Sequence, residues 1–208
     1  MGDGEARIIV LNGAPRSGKS SIAAALLARS PNWIADGVDA DMAHTPAASL
    51  PGIGLRPGDE RPELEAAIRD RYAALFDRIR SAWCAGQSVV VDLGLHHDYA
   101  GELHPLWDAA MKLPPAGTWL VGVRCDLGVI MERRSQSRSD VYLVATDGEV
   151  PLPVRRWQEA VHDPGIYDLE VDTSTTSAEL CAEQVLTAIG SSRPTALRAV
   201  GERSRPKG

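Results

Sequence analysis

Eight consecutive residues, Gly13-Ala14-Pro15-Arg16-Ser17-Gly18-Lys19-Ser20, combine the three groups that hold a polyphosphate: bare backbone, an ammonium and a hydroxyl. They fit G-x-x-x-x-G-K-[ST] at every fixed position. The glycines let the chain curl so that successive N–H groups face phosphate oxygens, and a helix N-terminus adds partial positive charge where the anion sits. Lys19 would reach the β- and γ-phosphates of a nucleoside triphosphate, and the Ser20 hydroxyl would ligate magnesium. Gly13, Ala14, Pro15, Arg16, Ser17, Gly18, Lys19, Ser20 and Ser21 are therefore the expected nucleotide contacts, with ATP and Mg2+ as the expected cofactors.

Two carboxylates and a group of arginines supply what such a loop needs for chemistry. Asp92 closes the apolar run Val89-Val90-Val91, where a carboxylate can orient magnesium or its waters; an aspartate capping a strand end is the structural alternative. Asp39 closes Gly37-Val38-Asp39. A carboxylate there can accept the proton of an attacking hydroxyl and aim its oxygen at the γ-phosphorus. Asp36 and Asp41 are neighbours able to do the same. Arg133, Arg134 and Arg138 fall on one predicted helix, and Arg134 and Arg138 share a face at i, i+4. Clustered guanidiniums suit a phosphoryl group whose charge is spread over three oxygens, although a helix end favours cations for its dipole alone. Catalysis is thus expected of Asp39, Lys19, Arg133, Arg134 and Arg138, and metal ligation of Ser20 and Asp92. The chain has no Asn-Lys-x-Asp guanine signature and no Ser-Gly-Gly-Gln signature, which leaves the small-kinase branch of such proteins.

The elements that position these residues alternate strand and helix, the pattern of an α/β domain with a parallel sheet. Ile8-Ile9-Val10-Leu11 reads as a strand buried on both faces. A helix is expected over 19–29 and a second strand over 33–38. A long helix opens at Pro62, where a missing N–H costs nothing, and Gly86 stops it. Strands follow at 89–91 and 119–123, and Asp126 caps a helix to about 138. A last strand over 167–171 and a last helix over 177–189 complete the expected kinase domain, residues 1–190. Residues 43–61 and 139–153 read as long loops, in the places of an acceptor site and a lid.

Composition sets further bounds. The length suits one domain, no apolar run approaches a membrane span, and three scattered cysteines build neither a disulfide framework nor a zinc site. A reducing cytoplasm is the expected compartment. The net charge is −6 although residues 191–208 hold five basic groups against Glu202. The body is therefore more acidic still, which disfavours a nucleic-acid face, and the Ser-, Arg-, Pro- and Gly-rich tail reads as a disordered basic extension.

Several of these segments, taken together, resemble one family. Ile8-Ile9-Val10-Leu11-Asn12-Gly13, Gly37-Val38-Asp39, Val121-Gly122-Val123-Arg124-Cys125-Asp126, Val161-His162 and Tyr167-Asp168-Leu169-Glu170-Val171-Asp172-Thr173 are similar, in order, to the chloramphenicol phosphotransferase-like family. The resemblance implies a P-loop nucleoside-monophosphate-kinase-like three-layer fold: a five-stranded parallel sheet, helices on both faces and a small lid. It implies ATP-dependent phosphorylation of an antibiotic hydroxyl, with Asp39 as the base and Arg133 as the lid arginine. After the lid the chain departs from the family, reading Arg138-Ser139-Asp140-Val141 where Arg-Gly-Asp-Arg is usual, and the segment after Asp39 also differs.

The expected activity is an ATP-Mg-dependent O-phosphotransfer to a small antibiotic-like hydroxyl compound. The alternatives are a kinase of an ordinary metabolite such as a nucleoside or sugar, and a nucleotide-dependent switch with no acceptor. Asp36, Asp39, Asp41, Asp98, Glu102 and Asp108 would tilt an acceptor site toward polar or cationic compounds. His96, His97, Asp98 and His104 read as surface or acceptor-facing residues, or as metal ligands without a demanding spacing. His162 reads as packing or catalysis, and Trp33, Trp157 and Tyr99 as core or as stacking platforms.

Overall fold

The computed structural model describes residues 5–37, 62–99, 101, 103–136 and 149–203. Strand β1 (Ile8–Asn12) lies at the centre of a five-stranded parallel sheet. Residues Ile8, Ile9, Val10 and Leu11 are at most 1% exposed, as a continuous apolar run in a central strand requires. β3 (Ser88–Leu93) pairs with it on one side and β4 (Thr118–Arg124) on the other. β2 (Trp33–Gly37) extends the sheet beyond β3, and β5 (Leu169–Asp172) extends it beyond β4. The order is β2-β3-β1-β4-β5.

Alternate residues of each strand feed two cores. Ile8 and Val10 with Val89, Val91 and Leu120 face the long helix α2 (Pro62–Cys84), through Ile68, Tyr72, Leu75, Phe76 and Ile79. Ile9 and Leu11 with Val90, Val121 and Val171 face α1 (Lys19–Arg29) and α6 (Ala178–Ser191), through Ile22, Leu26, Cys181 and Val185. The result is the three-layer architecture that the sequence predicts. Each of these aliphatic side chains contributes about 1.5–3 kcal/mol by leaving water, so the two cores hold the sheet's carboxyl edge in register. Among the described residues, no helix is long and apolar enough to cross a membrane.

Several boundaries differ from expectation. α4 (Leu127–Ser135), capped by the Asp126 carboxylate as predicted, stops three residues short of Arg138. Two short helices, α3 (Pro105–Lys112) and α5 (Leu152–Ala160), went unanticipated. Each has too few turns for a clear apolar period. β5 begins at Leu169 rather than Tyr167, whose ring packs over Gly122: a Cβ there would lie 2.7 Å from the ring. The expected loop over 43–61 lies outside the described residues, as do positions 139–148 of the expected lid.

The reading of 191–208 as a disordered tail is corrected over 191–203, while 204–208 lie outside the described residues. Residues Ala196–Arg203 form α7, and Leu197 and Val200 are buried in the α2-side core. The cause is non-local. The Asp168 carboxylate accepts the N–H groups of Thr195 (2.6 Å) and Ala196 (2.9 Å), capping the helix from 27 residues upstream. Its other oxygen accepts Leu120 N–H at 2.9 Å, which ties the cap to β4. The folded domain therefore runs to Arg203. Replacing Leu197 with Ala is expected to cost about 2–5 kcal/mol of stability in urea unfolding, the range for a fully buried leucine, and deleting 193–208 to cost more. An unchanged midpoint in both variants would contradict the docking of α7.

Candidate functional site

β1 ends in Asn12, fully buried despite its polarity, and its amide joins three segments. Nδ2 donates to Val161 O (2.8 Å), and Oδ1 accepts Leu95 N–H (2.7 Å). Tyr167 Oη donates to the same Val161 carbonyl at 3.2 Å and lies 2.9 Å from His162 Nδ1. The end of α5, the chain after β3 and the approach to β5 thus meet behind the phosphate loop. Sequence reasoning missed Asn12 and Tyr167 as a pair. The available signal was a polar residue closing an otherwise apolar buried strand.

The chain then turns sharply. A Cβ on Gly13 would lie 2.5 Å from Val123 O, so only glycine fits where the loop passes β4. Ser17 N–H closes back onto Ala14 O at 3.1 Å. Arg16 (φ 72°) and Gly18 (φ 98°) are left-handed, a curl that turns backbone N–H groups inward. Gly18 is also the N-cap of α1 and offers no side-chain cap, leaving the first-turn N–H groups to an outside acceptor. A phosphate group fits that need.

Three of the expected residues converge. Ser20 Oγ donates to Asp92 Oδ2 at 2.5 Å, and Lys19 Nζ lies 3.4 Å from Asp92 Oδ1 while donating to Ala14 O at 3.0 Å. A hydroxyl and a carboxylate side by side at a helix N-terminus are the hard oxygen donors that magnesium prefers. Gly37, the last residue of β2, is in register with Asp92. Asp39 and Asp41 themselves lie outside the described residues.

The arginines separate. Arg133 donates from Nη2 to Thr173 O (2.7 Å), and from Nη1 to Thr173 Oγ1 (3.1 Å), Arg16 O (3.3 Å) and Cys125 Sγ (3.3 Å). Arg134 is 1% exposed, on the buried face of α4. Arg138 lies outside the described residues. The expected acidic excess is smaller than its count, since Asp36 pairs with Arg78 at 3.1 Å.

Of the histidines, His96 is fully buried, stacked on Tyr99 with centroids 4.2 Å apart and edge-on to Trp157 at 5.9 Å. His97 and His104 meet edge-on at 5.7 Å. Among the described residues, no group of three or more His, Cys, Asp or Glu could hold a metal. Trp33 packs into the α1-side core, while Trp157 packs against Ala14 and Cys125 beside the loop.

His162 carries a pH signature. Burial, then Arg124 and Lys19, lower its pKa from 6.5 to about 4. Folded His162 stays neutral where an unfolded histidine takes up a proton, so its stabilising contribution is complete above about pH 6.5 and is lost as pH falls toward 4. The urea midpoint of the wild type is expected to drop from pH 7 to pH 5, and the drop to be smaller in His162→Gln. Equal drops in both would contradict this account.

Comparison with known proteins agrees with this fold. Residues 6–190 match the family described as chloramphenicol phosphotransferase-like protein. The fold is similar to an APS kinase of Mycobacterium tuberculosis solved with AMPPNP and APS, at TM-score 0.64 and 19% identity, covering 90% of this chain and 99% of that one. It is also similar to a sugar kinase from Janibacter sp. HTCC2649 (TM-score 0.59, 17% identity, covering 89% and 95%). A third likeness is to shikimate kinase from Acinetobacter baumannii in complex with shikimate (TM-score 0.57, 16% identity, covering 89% and 94%). No curated protein matches the sequence.

Proposed function

The chain belongs to the chloramphenicol phosphotransferase-like family of P-loop kinases, and from that premise we propose that it moves the γ-phosphoryl group of ATP to a hydroxyl of a small antibiotic-like molecule. The observation that carries this reading is the joint placement of Lys19, Ser20 and Asp92 at the uncapped start of α1. The loop N–H groups and Lys19 hold the phosphates. Ser20 Oγ and the Asp92 carboxylate are the oxygens that would hold magnesium, which supplies charge neutralisation to the transferring group when bound.

The acceptor hydroxyl must approach in line, and with a loose transition state its positioning matters more than strong basicity. Asp39 takes that role: it accepts the hydroxyl proton as the new O–P bond forms and the bond to the ADP oxygen breaks. Asp36 is the weaker candidate, because its carboxylate is already occupied by Arg78 and by Gly37 N–H at 2.8 Å. A second reading, phosphorylation of a sugar-like or other hydroxylated metabolite, is favoured by the sugar kinase and shikimate kinase of similar fold.

Screening ATP consumption against hydroxylated antibiotics, sugars and nucleosides, with mass measurement of the product, separates the two readings. An antibiotic gaining one phosphoryl group is the expected outcome; exclusive turnover of a sugar or nucleoside would replace it with the second reading. Lys19→Ala is expected to abolish turnover. Asp39→Asn should lower it by about 10²–10⁴ with ATP affinity nearly unchanged, and a larger loss in Asp36→Asn would transfer the base assignment.

A further inference from the structure

Arg133 and Thr173 form a clamp on the outer side of the phosphate loop. Arg133 comes from the last turn of α4 and Thr173 from the residue after β5, yet they reach two successive loop carbonyls, one each. Arg133 Nη1 donates to Arg16 O at 3.3 Å, and Thr173 Oγ1, 6% exposed as a residue, donates to Ser17 O at 2.5 Å. The two clamp residues also join each other, through Arg133 Nη1 to Thr173 Oγ1 (3.1 Å) and Nη2 to Thr173 O (2.7 Å). Arg16 answers in the opposite direction, donating from Nη2 to Arg133 O at 2.7 Å. A Cβ on Gly18 would lie 3.3 Å from Thr173 Cγ2 and 3.5 Å from Arg133 Nη1, so the clamp closes directly on the left-handed turn.

A trans peptide is planar, with its C=O and N–H on opposite sides. Fixing Ser17 O against Thr173 therefore aims the Gly18 N–H to the other side of the chain, the inside of the loop. Arg16 sits at φ 72°, a strained region for a residue with a side chain. Such a conformation persists only where surrounding bonds over-determine it, and the reciprocal Arg16–Arg133 pair provides them. We propose that Arg133 and Thr173 are positioning residues that hold the loop in its phosphate-binding shape, and that Arg133 acts through the loop rather than on the γ-phosphoryl group. The inference rests on the loop being a nucleotide-phosphate site.

Three probes separate the roles open to Arg133: magnesium pyrophosphate, MgADP and a non-hydrolysable MgATP analogue. Each is titrated calorimetrically into the full-length wild type, Arg133→Gln, Thr173→Val and the double variant, with melting temperatures taken in parallel. A loop clamp weakens all three probes by a similar factor, about tenfold or more, in both single variants. The double variant should be little worse than the poorer single one, because both residues serve one contact set. Loss confined to the triphosphate analogue would overturn the proposal in favour of a γ-phosphoryl contact. Loss confined to the two nucleotides would overturn it in favour of a base contact, and unchanged affinities would overturn it outright. If Arg133→Gln does not fold, the near-isosteric Thr173→Val decides alone. A wild type that binds none of the probes would instead remove the nucleotide-site reading on which the inference stands.

Discussion

A central strand buried on both faces can leave the sheet only where its neighbours give it room, and β1 leaves between β3 and β4 at Gly13. The space there is smaller than a methyl group, with Val123 O 2.5 Å from where a Cβ would sit. The rest of the site follows from that passage. Gly13 N–H stays tied to Leu93 O at 3.2 Å, the chain curls through two left-handed residues, and α1 starts with its first N–H groups uncapped. The same crossing brings Asp92 of β3 within reach of Lys19 and Ser20, because Leu11 and Asp92 are partners in the β1–β3 register. Loop and carboxylate are thus positioned by one strand pairing rather than by flexible side chains.

Charge is arranged around this passage with little waste. Lys19, 8% exposed, keeps an ammonium in a confined site by pairing with Asp92 and bonding Ala14 O. Asp92 in turn accepts Ser20, so one carboxylate holds both the Lys19 and the Ser20 side chain. The Arg133 guanidinium lies against the carbonyls of Arg16 and Thr173. Behind the loop Asn12 satisfies both ends of its amide and joins β1 to the chain after β3 and to α5. A buried amide left unpaired costs about 1–3 kcal/mol, so this joint fixes the wall of the site as firmly as the apolar core fixes the sheet.

The central elements were legible because their signals are local. The run Ile8-Ile9-Val10-Leu11, the loop motif and the start of α2 at Pro62 are each marked within a short stretch of chain, and their placement matched. Asp126 as an N-cap was equally readable from one residue and the helix after it. What escaped depended on partners far along the chain. α7 is held by Asp168 and by a core that no tail composition reveals, and Leu197 and Val200 were hidden among arginines and prolines. Arg133 was expected over the phosphates, but its bonds run to Thr173 and Arg16, 40 and 117 residues away. Asp36 looked like a spare carboxylate until Arg78 of α2 was seen across from it. The fate of a polar side chain is set by which element faces it, and that belongs to the assembled sheet.

The central claim is that this loop delivers the γ-phosphoryl group to an acceptor oxygen rather than to water. Phosphorus NMR of MgATP with the protein and a mixture of hydroxylated antibiotics follows that atom directly. The account predicts that the γ-phosphorus signal is replaced by a phosphate-monoester resonance at the rate at which ADP forms, and that ATP persists when the acceptors are left out. Inorganic phosphate appearing at the same rate with or without acceptors would contradict it.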